Sequence, residues 1–318
     1  MRKLIKIFFL IVSVVVVGGF IAGYTPNTDP LAIKAKYTNP ASQFLKLDKD
    51  LIVHVRDEGK RDGSVLVMVH GSNASLQSWE PWVKKLGTDY RLISLDLPGH
   101  GLTGPHPGGV YTYESYVDVV DRVVERLGIK QMVLIGHSMG GAVGWRYALK
   151  HPQKIDGLVL IDAAGAAEPK ERKLPMGIRM SQVPILKNIV EIVSPRYVYE
   201  SSIKDSMGNK AAVDGAMVDR YWELNRYPGN REATTRRLSE ASFYVDATKE
   251  QLASIKAPGL IMWGEDDPVF PAASATWFSE ALPKSTLILY PAIGHTPMEE
   301  APDKTATDVK KWLGQLNR

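Results

Sequence analysis

Ser138 stands in Gly136-His137-Ser138-Met139-Gly140, between a short apolar run, QMVLIGH, and a helix-like stretch, MGGAVGWRYALKH. Four glycines (Gly136, Gly140, Gly141, Gly144) crowd one hydroxyl, although glycine weakens a helix by roughly 0.5–1 kcal/mol. A serine on a sharp strand-to-helix turn accounts for them. Residues two places to either side approach each other closely and must be small. The turn lifts the hydroxyl above the sheet, and the following helix aims its N-terminus at the reacting centre. A serine hydroxyl is a poor nucleophile without a base. The chemistry these residues suit is nucleophilic attack assisted by a histidine, itself oriented by an anion.

Seven histidines are available. His54 lies in a hairpin, His100 and His106 in a glycine- and proline-bearing loop, and His151 at a helix end. His137 precedes Ser138, so its side chain points away from the apex. His295, in PAIGHTPMEEAP, follows the late strand STLILYPA and has the place a base needs in this chain order. For the acid, IMWGEDDPVFP ends a strand with three consecutive acids. Asp267 fits best, ahead of Glu265 and Asp266, and Asp162 at the end of LVLID is a second candidate. The reaction also needs donors for a developing oxyanion. In VMVHGSNAS, Gly71 lets the chain turn so that the N–H of Ser72 faces the site, and the N–H of Met139 supplies the second donor. His70 is read as a brace for this loop, and DLPGHG as a structural turn beside the site.

The elements that must position these residues are legible as periodicity. FLKLDKDLIVHVRDEG reads as an antiparallel hairpin, and SVLVMVHG, YRLISLDL, QMVLIGH and IDGLVLIDA as apolar strands. TYESYVDVVDRVVERLG is an amphipathic helix stopped by Gly128. Alternating helices and strands apolar on both faces predict a mostly parallel sheet covered by helices. The alternation lapses over 168–249, which reads as a helical cap, and resumes with GLIMWGE. The expected organisation is a membrane segment at 1–24, a polar proline-bearing linker at 25–42, a core at 43–167 and 250–318, and the cap between.

Composition narrows the function. The 318 residues are 44% hydrophobic and 23% charged, with a net charge of +4. Arg2, Lys3 and Lys6 carry three of those charges, which leaves 36 basic and 35 acidic residues and no basic stripe for nucleic acid. There is no cysteine, which excludes disulfides and thiolate zinc sites. Ile7–Gly23 is 17 residues without a charge, at the lower end of the roughly 17–25 that span a bilayer. The reading is a single-pass signal anchor with the catalytic domain on the non-cytoplasmic side. The alternative is a cleaved signal peptide and a secreted or periplasmic protein.

Taken in order, HGSNAS, DLPGHG, GHSMGG, WGEDDPVFP and GHTPMEEAP resemble the α/β-hydrolase superfamily from about Phe44 to Leu316, in its serine esterase and lipase-like branch with a helical cap. The resemblance implies that the cap shapes an acyl or alcohol pocket. Only one glycine follows His70, unlike the His-Gly-Gly-Gly branch. The expected activity is hydrolysis of carboxylic esters of apolar acyl groups, lipids included, with Ser138 as nucleophile, His295 as base and Asp267 as its partner. This chemistry requires no metal or organic cofactor. The alternatives are the same residues acting on a lactone, an amide or a carbon–carbon bond or in acyl transfer, and a binding protein without turnover.

Overall fold

The computed structural model describes residues 23–169, 183, 191–240 and 245–316. The apolar run read as a membrane segment lies, but for Gly23, outside the described residues. Among those described, no helix is long and apolar enough to cross a membrane.

Eight strands form one sheet: β1 Ser42–Lys46, β2 Ile52–Gly59, β3 Val65–Val69, β4 Arg91–Leu95, β5 Met132–His137, β6 Ile155–Ile161, β7 Gly259–Gly264 and β8 Ser285–Tyr290. Their order is β1-β2-β4-β3-β5-β6-β7-β8. The β1/β2 and β2/β4 pairs are antiparallel, with Phe44 opposite His54, and every other pair is parallel. This is the α/β-hydrolase fold. Alternate residues of β3 enter different cores. Val67 and Val69 pack with Val120, Leu134 and Trp263 on one face. Leu66 and Met68 pack with Trp79, Trp82 and Trp312 on the other. Burial on both faces is why the strand reads as a continuous apolar run.

The α-helices among the described residues are, in chain order, α1 Pro30–Tyr37, α2 Glu80–Leu86, α3 Tyr113–Arg126, α4 Met139–Lys150, α5 Arg196–Ser206, α6 Gly215–Asn225, α7 Asn230–Ser239, α8 Lys249–Ala253, α9 Ala273–Ala281, α10 Pro297–Glu300 and α11 Pro302–Leu316. The periodic valines of α3 point into the core, Thr112 caps its N-terminus, and Gly128 follows it at φ +67°. Between Ile161 and Gly259 the described residues hold helices α5 to α8 and no strand. Of the segment RMSQVPIL, only Val183 is described. The aromatic segment VDRYWELNRY joins cap to core. Trp222 donates to Ser194 O, and Tyr221 and Arg220 donate to the buried Glu299.

The expected linker at 25–42 is corrected by the structure. Tyr24 pairs antiparallel with Val193 of the cap, and α1 follows, capped by Asp29. The intervening backbone is bound to cap groups: Thr28 N–H donates to Arg226 O, Arg226 Nε to Pro26 O, and Arg231 Nη1 to Thr25 O, at 2.7–2.9 Å. A polar, proline-bearing stretch reads as a linker because it offers no apolar face. Here cap arginines satisfy its carbonyls instead.

Candidate active site

Ser138 follows directly on β5 and is the residue before α4, at φ +51°, ψ −116°. Positive φ in a non-glycine residue is uncommon and costs of order 1 kcal/mol or more. The turn is held by its backbone: Ser138 N–H donates to Ile161 O, and Ser138 O accepts from the N–H groups of Gly141, Ala142 and Ala164. The glycines permit the close approaches. A Cβ on Gly136 would lie 2.2 Å from Gly140 O, and one on Gly140 would lie 2.2 Å from Val69 O.

The hydroxyl thus raised meets His295. Ser138 Oγ is 3.0 Å from His295 Nε2, and His295 Nδ1 is 2.8 Å from Asp267 Oδ2. All three residues are buried. Each follows the C-terminal end of a parallel strand, β5, β7 or β8, so the sheet brings together residues up to 157 positions apart. Asp267 Oδ1 accepts the N–H groups of Val269 and Phe270, which fixes the carboxylate's plane.

Three groups that spacing does not reveal hold His295. Its N–H donates to Ser206 O of the cap. His137 Nε2 donates to its carbonyl at 2.7 Å. Glu300, at the end of α10, accepts the N–H groups of Gly294, Thr296 and cap residue Asn209 at 3.0–3.2 Å. Burial first, then the neighbouring His295, holds the His137 imidazole well below its usual range, so it is a neutral donor.

Ser72, expected to supply one oxyanion donor, follows Gly71 in the loop after β3, and Met139, expected to supply the other, follows Ser138 directly. Met139 opens α4, where the first N–H groups lack helical acceptors. Gly71 serves close approach and not a special turn: a Cβ there would be 2.7 Å from His137 Nδ1 and 3.1 Å from Ser138 Cβ. The left-handed residue of the loop is Asn73, at φ +59°. His70 donates Nδ1–H to Gly71 O and accepts Leu97 N–H on Nε2.

Asp162, the second candidate acid, is fully buried behind the first. One oxygen or nitrogen from each of Asp162, Asp267 and His295 lies within 4.8 Å of the others. Its Oδ1 accepts Gly264 N–H. Burial first, then the Asp267 carboxylate, raises its pKa well above the usual carboxylate range. The folded chain keeps a proton there that the unfolded chain releases near about pH 3.9. Folding therefore binds extra protons, and this contribution to stability falls as pH rises from about 4. Asp162→Asn copies the neutral acid, so the variant should melt above wild type at pH 8, with the gap closing toward pH 4. Its ester turnover should stay within a few-fold. Thermal melts across pH decide, and a variant less stable than wild type at pH 8 contradicts the neutral-acid assignment.

A second chain of the same residue types lies at the sheet edge. Ser42 Oγ is 3.0 Å from His54 Nε2, and His54 Nδ1 is 2.7 Å from Asp96 Oδ2. Ser42 merely opens β1 and accepts Asn39 N–H, while Asp96 also binds the N–H groups of Leu76 and Leu102. This chain ties the β1–β2 hairpin to the DLPGHG turn.

Residues 64–302 match the family described as alpha/beta hydrolase fold. The chain belongs to this family. It is 26% identical over 255 residues to the pimeloyl-[acyl-carrier protein] methyl ester esterase of Nitrosomonas europaea, covering 79% of this chain and 96% of that one. It is 25% identical over 293 residues to the 2-hydroxy-6-oxononadienedioate/2-hydroxy-6-oxononatrienedioate hydrolase of Paraburkholderia phymatum, covering 89% and 97%. The solved structure of a membrane phospholipase A, a bacterial virulence factor, superposes over 100% of both chains with a TM-score of 0.78 and 21% identity, a likeness of fold. This member of the family therefore has relatives that are hydrolases of different bonds.

Proposed function

We propose that this chain is a serine hydrolase cleaving carboxylic esters of apolar acyl groups, held in a membrane by its N-terminal segment with the catalytic domain on the non-cytoplasmic side. The observation that carries the reading is the hydrogen-bonded order Ser138–His295–Asp267 with the serine on a strained apex. Ser138 Oγ bonds to the ester carbonyl carbon as His295 Nε2 takes the hydroxyl proton. The carbonyl's π pair moves onto its oxygen, which the N–H groups of Ser72 and Met139 receive. Collapse expels the alkoxide, which takes the proton from His295. Water then repeats the sequence, releasing the acid and restoring Ser138. Throughout, Asp267 holds His295 with its hydrogen on Nδ1.

The names of the esterase and phospholipase relatives support an ester as substrate, and the latter a membrane source for it. The oxo-dioate hydrolase favours a second reading, the same residues on a carbon–carbon bond beside a ketone. p-Nitrophenyl esters of graded chain length and phosphatidylcholine vesicles, set against a 2-hydroxy-6-oxo acid, separate the two. Ester turnover is expected, and turnover of the oxo acid alone overturns the ester reading.

The anchor has its own test. Deleting residues 1–22 should yield a soluble protein with wild-type ester turnover. Deleting residues 1–37 should lower the melting temperature, because it removes the groups that Arg226 and Arg231 bind. The full-length protein should resist carbonate extraction and retain its start at Met1. A mature start near Tyr24 replaces the anchor with a cleaved signal.

A further inference from the structure

We propose that Arg237, carried by the cap helix α7, is a positioning residue that acts through Ser72 and Asn73 to hold the oxyanion loop in its working geometry. The cap then sets transition-state stabilisation as well as substrate access. The inference rests on the hydrolytic reading above.

Arg237 is fully buried. A guanidinium is costly to bury unless its donors are used, and its planar fork suits two acceptors at fixed spacing. Here Nη1 donates to His100 Nε2 and Nη2 to Ser72 Oγ, each at 2.6 Å, with Asn73 Oδ1 at 3.5 Å from Nη2. His100 can accept only with its hydrogen on Nδ1, and Pro98 O stands 3.2 Å from that nitrogen. Burial first, then the Arg237 charge, keeps this imidazole well below its usual range and neutral. One cap side chain thus bridges the DLPGHG turn and the oxyanion loop.

The loop needs such support. Three consecutive residues, Gly71 to Asn73, are each held by a side chain. His70 binds Gly71 O, Arg237 binds Ser72 Oγ, and Asn225 Nδ2 of α6 binds Asn73 O at 2.7 Å. Thr234 Oγ1 of α7 adds a contact to Asn73 Oδ1 at 3.2 Å. Asn73 pays for a left-handed backbone, a conformation the loop keeps only when its surroundings over-determine it. Two of the three pins come from the cap, and the N–H they orient is that of Ser72. Removing a whole oxyanion donor costs about 10²–10³ in kcat, so loosening one should cost less.

The test compares Arg237→Met, Arg237→Lys, Ser72→Ala and the Arg237→Met/Ser72→Ala double variant in the chain lacking residues 1–22. Active sites are titrated with a fluorophosphonate, so kcat is counted per competent site. Arg237→Met should lower kcat by about 10–100-fold, below the loss of a full donor, with KM within about two-fold. Arg237→Lys should recover part of it, because an ammonium reaches one acceptor of the two. The double variant should lose no more than Arg237→Met alone, since the Ser72 hydroxyl supports the loop through the arginine. A purely structural role would lower the melting temperature and the titrated fraction but leave kcat per site at wild type, which overturns the inference. Additive losses in the double variant overturn it as well. Where Arg237→Met does not fold, Arg237→Lys keeps the buried charge and decides alone: a loss of at least about five-fold per site supports the role, and wild-type kcat refutes it. A folded wild type that neither labels nor cleaves esters overturns the hydrolytic reading itself, a result distinct from all of these.

Discussion

Ser138→Ala should leave a folded protein that no longer reacts with a fluorophosphonate and loses ester turnover by a factor of about 10⁴ or more. Folding survives because the bonds that hold the turn belong to the backbone of residue 138 and persist with alanine. The hydroxyl's own partner is His295, which keeps Asp267 when the hydroxyl is gone. Labelling should vanish completely, although Ser42 has a histidine and an aspartate at nearly the same distances. Ser42 has neither the strained apex nor a helix N-terminus behind it, and its hydroxyl is occupied by the hairpin. Mass spectrometry of the labelled wild type should find the adduct on Ser138 alone. An adduct on Ser42, or near wild-type turnover in Ser138→Ala, would sink the assignment.

Asp267→Asn should lower kcat by about 10⁴, as expected where the base takes the wrong tautomer. The local bonding dictates that tautomer. The N–H groups of Val269 and Phe270 point at Oδ1 and demand an acceptor there. The asparagine must offer its carbonyl to them and turn its NH₂ toward His295 Nδ1. That nitrogen then accepts, the ring hydrogen moves to Nε2, and no lone pair faces Ser138. The change is nearly isosteric, so the melting temperature should move little. Steady-state kcat beside thermal melts checks the expectation, and retention of turnover within about ten-fold would reassign the acid. If Asp162→Asn shows the large loss instead, the acid is the one after β6.

What was legible in the sequence is what strand order encodes. Ser138, Asp267 and His295 each follow an apolar run, and parallel strands bring their C-terminal ends to one edge whatever the sequence separation. The glycines at 136 and 140 were legible because steric need leaves a residue-type mark. Side-chain contacts made across the fold were not. Glu300 folds back on the loop of His295, and His137 turns from the apex to hold that same loop from behind, yet neither bears a periodic signal. Arg237 sits in a polar helix, NREATTRRLS, and its partners lie more than 100 positions away. The acids at 162 and 267 were both visible at strand ends. Which one faces the imidazole depends on loop geometry beyond the strand.

For a chain anchored in a bilayer through its N-terminal run, the fastening of Tyr24 to Tyr37 onto the cap would remove the slack between bilayer and catalyst. A flexible linker of 18 residues, the length expected for 25–42, would let the body wander over about 23 Å. Here the chain joins the cap at Tyr24, the first residue past the apolar run. For a chain anchored through that run, the tether has almost no length, and the body hangs from the cap at one height and a narrow range of tilt. Encounter with substrate becomes a two-dimensional problem, governed by lateral diffusion within one leaflet. Esters in the adjoining leaflet are met at a high effective concentration. A lipid on another vesicle is out of reach until two bilayers collide. Hydrolysis in cis should therefore outpace hydrolysis in trans by a margin that lengthening the junction at Gly23 with a glycine–serine spacer would erode.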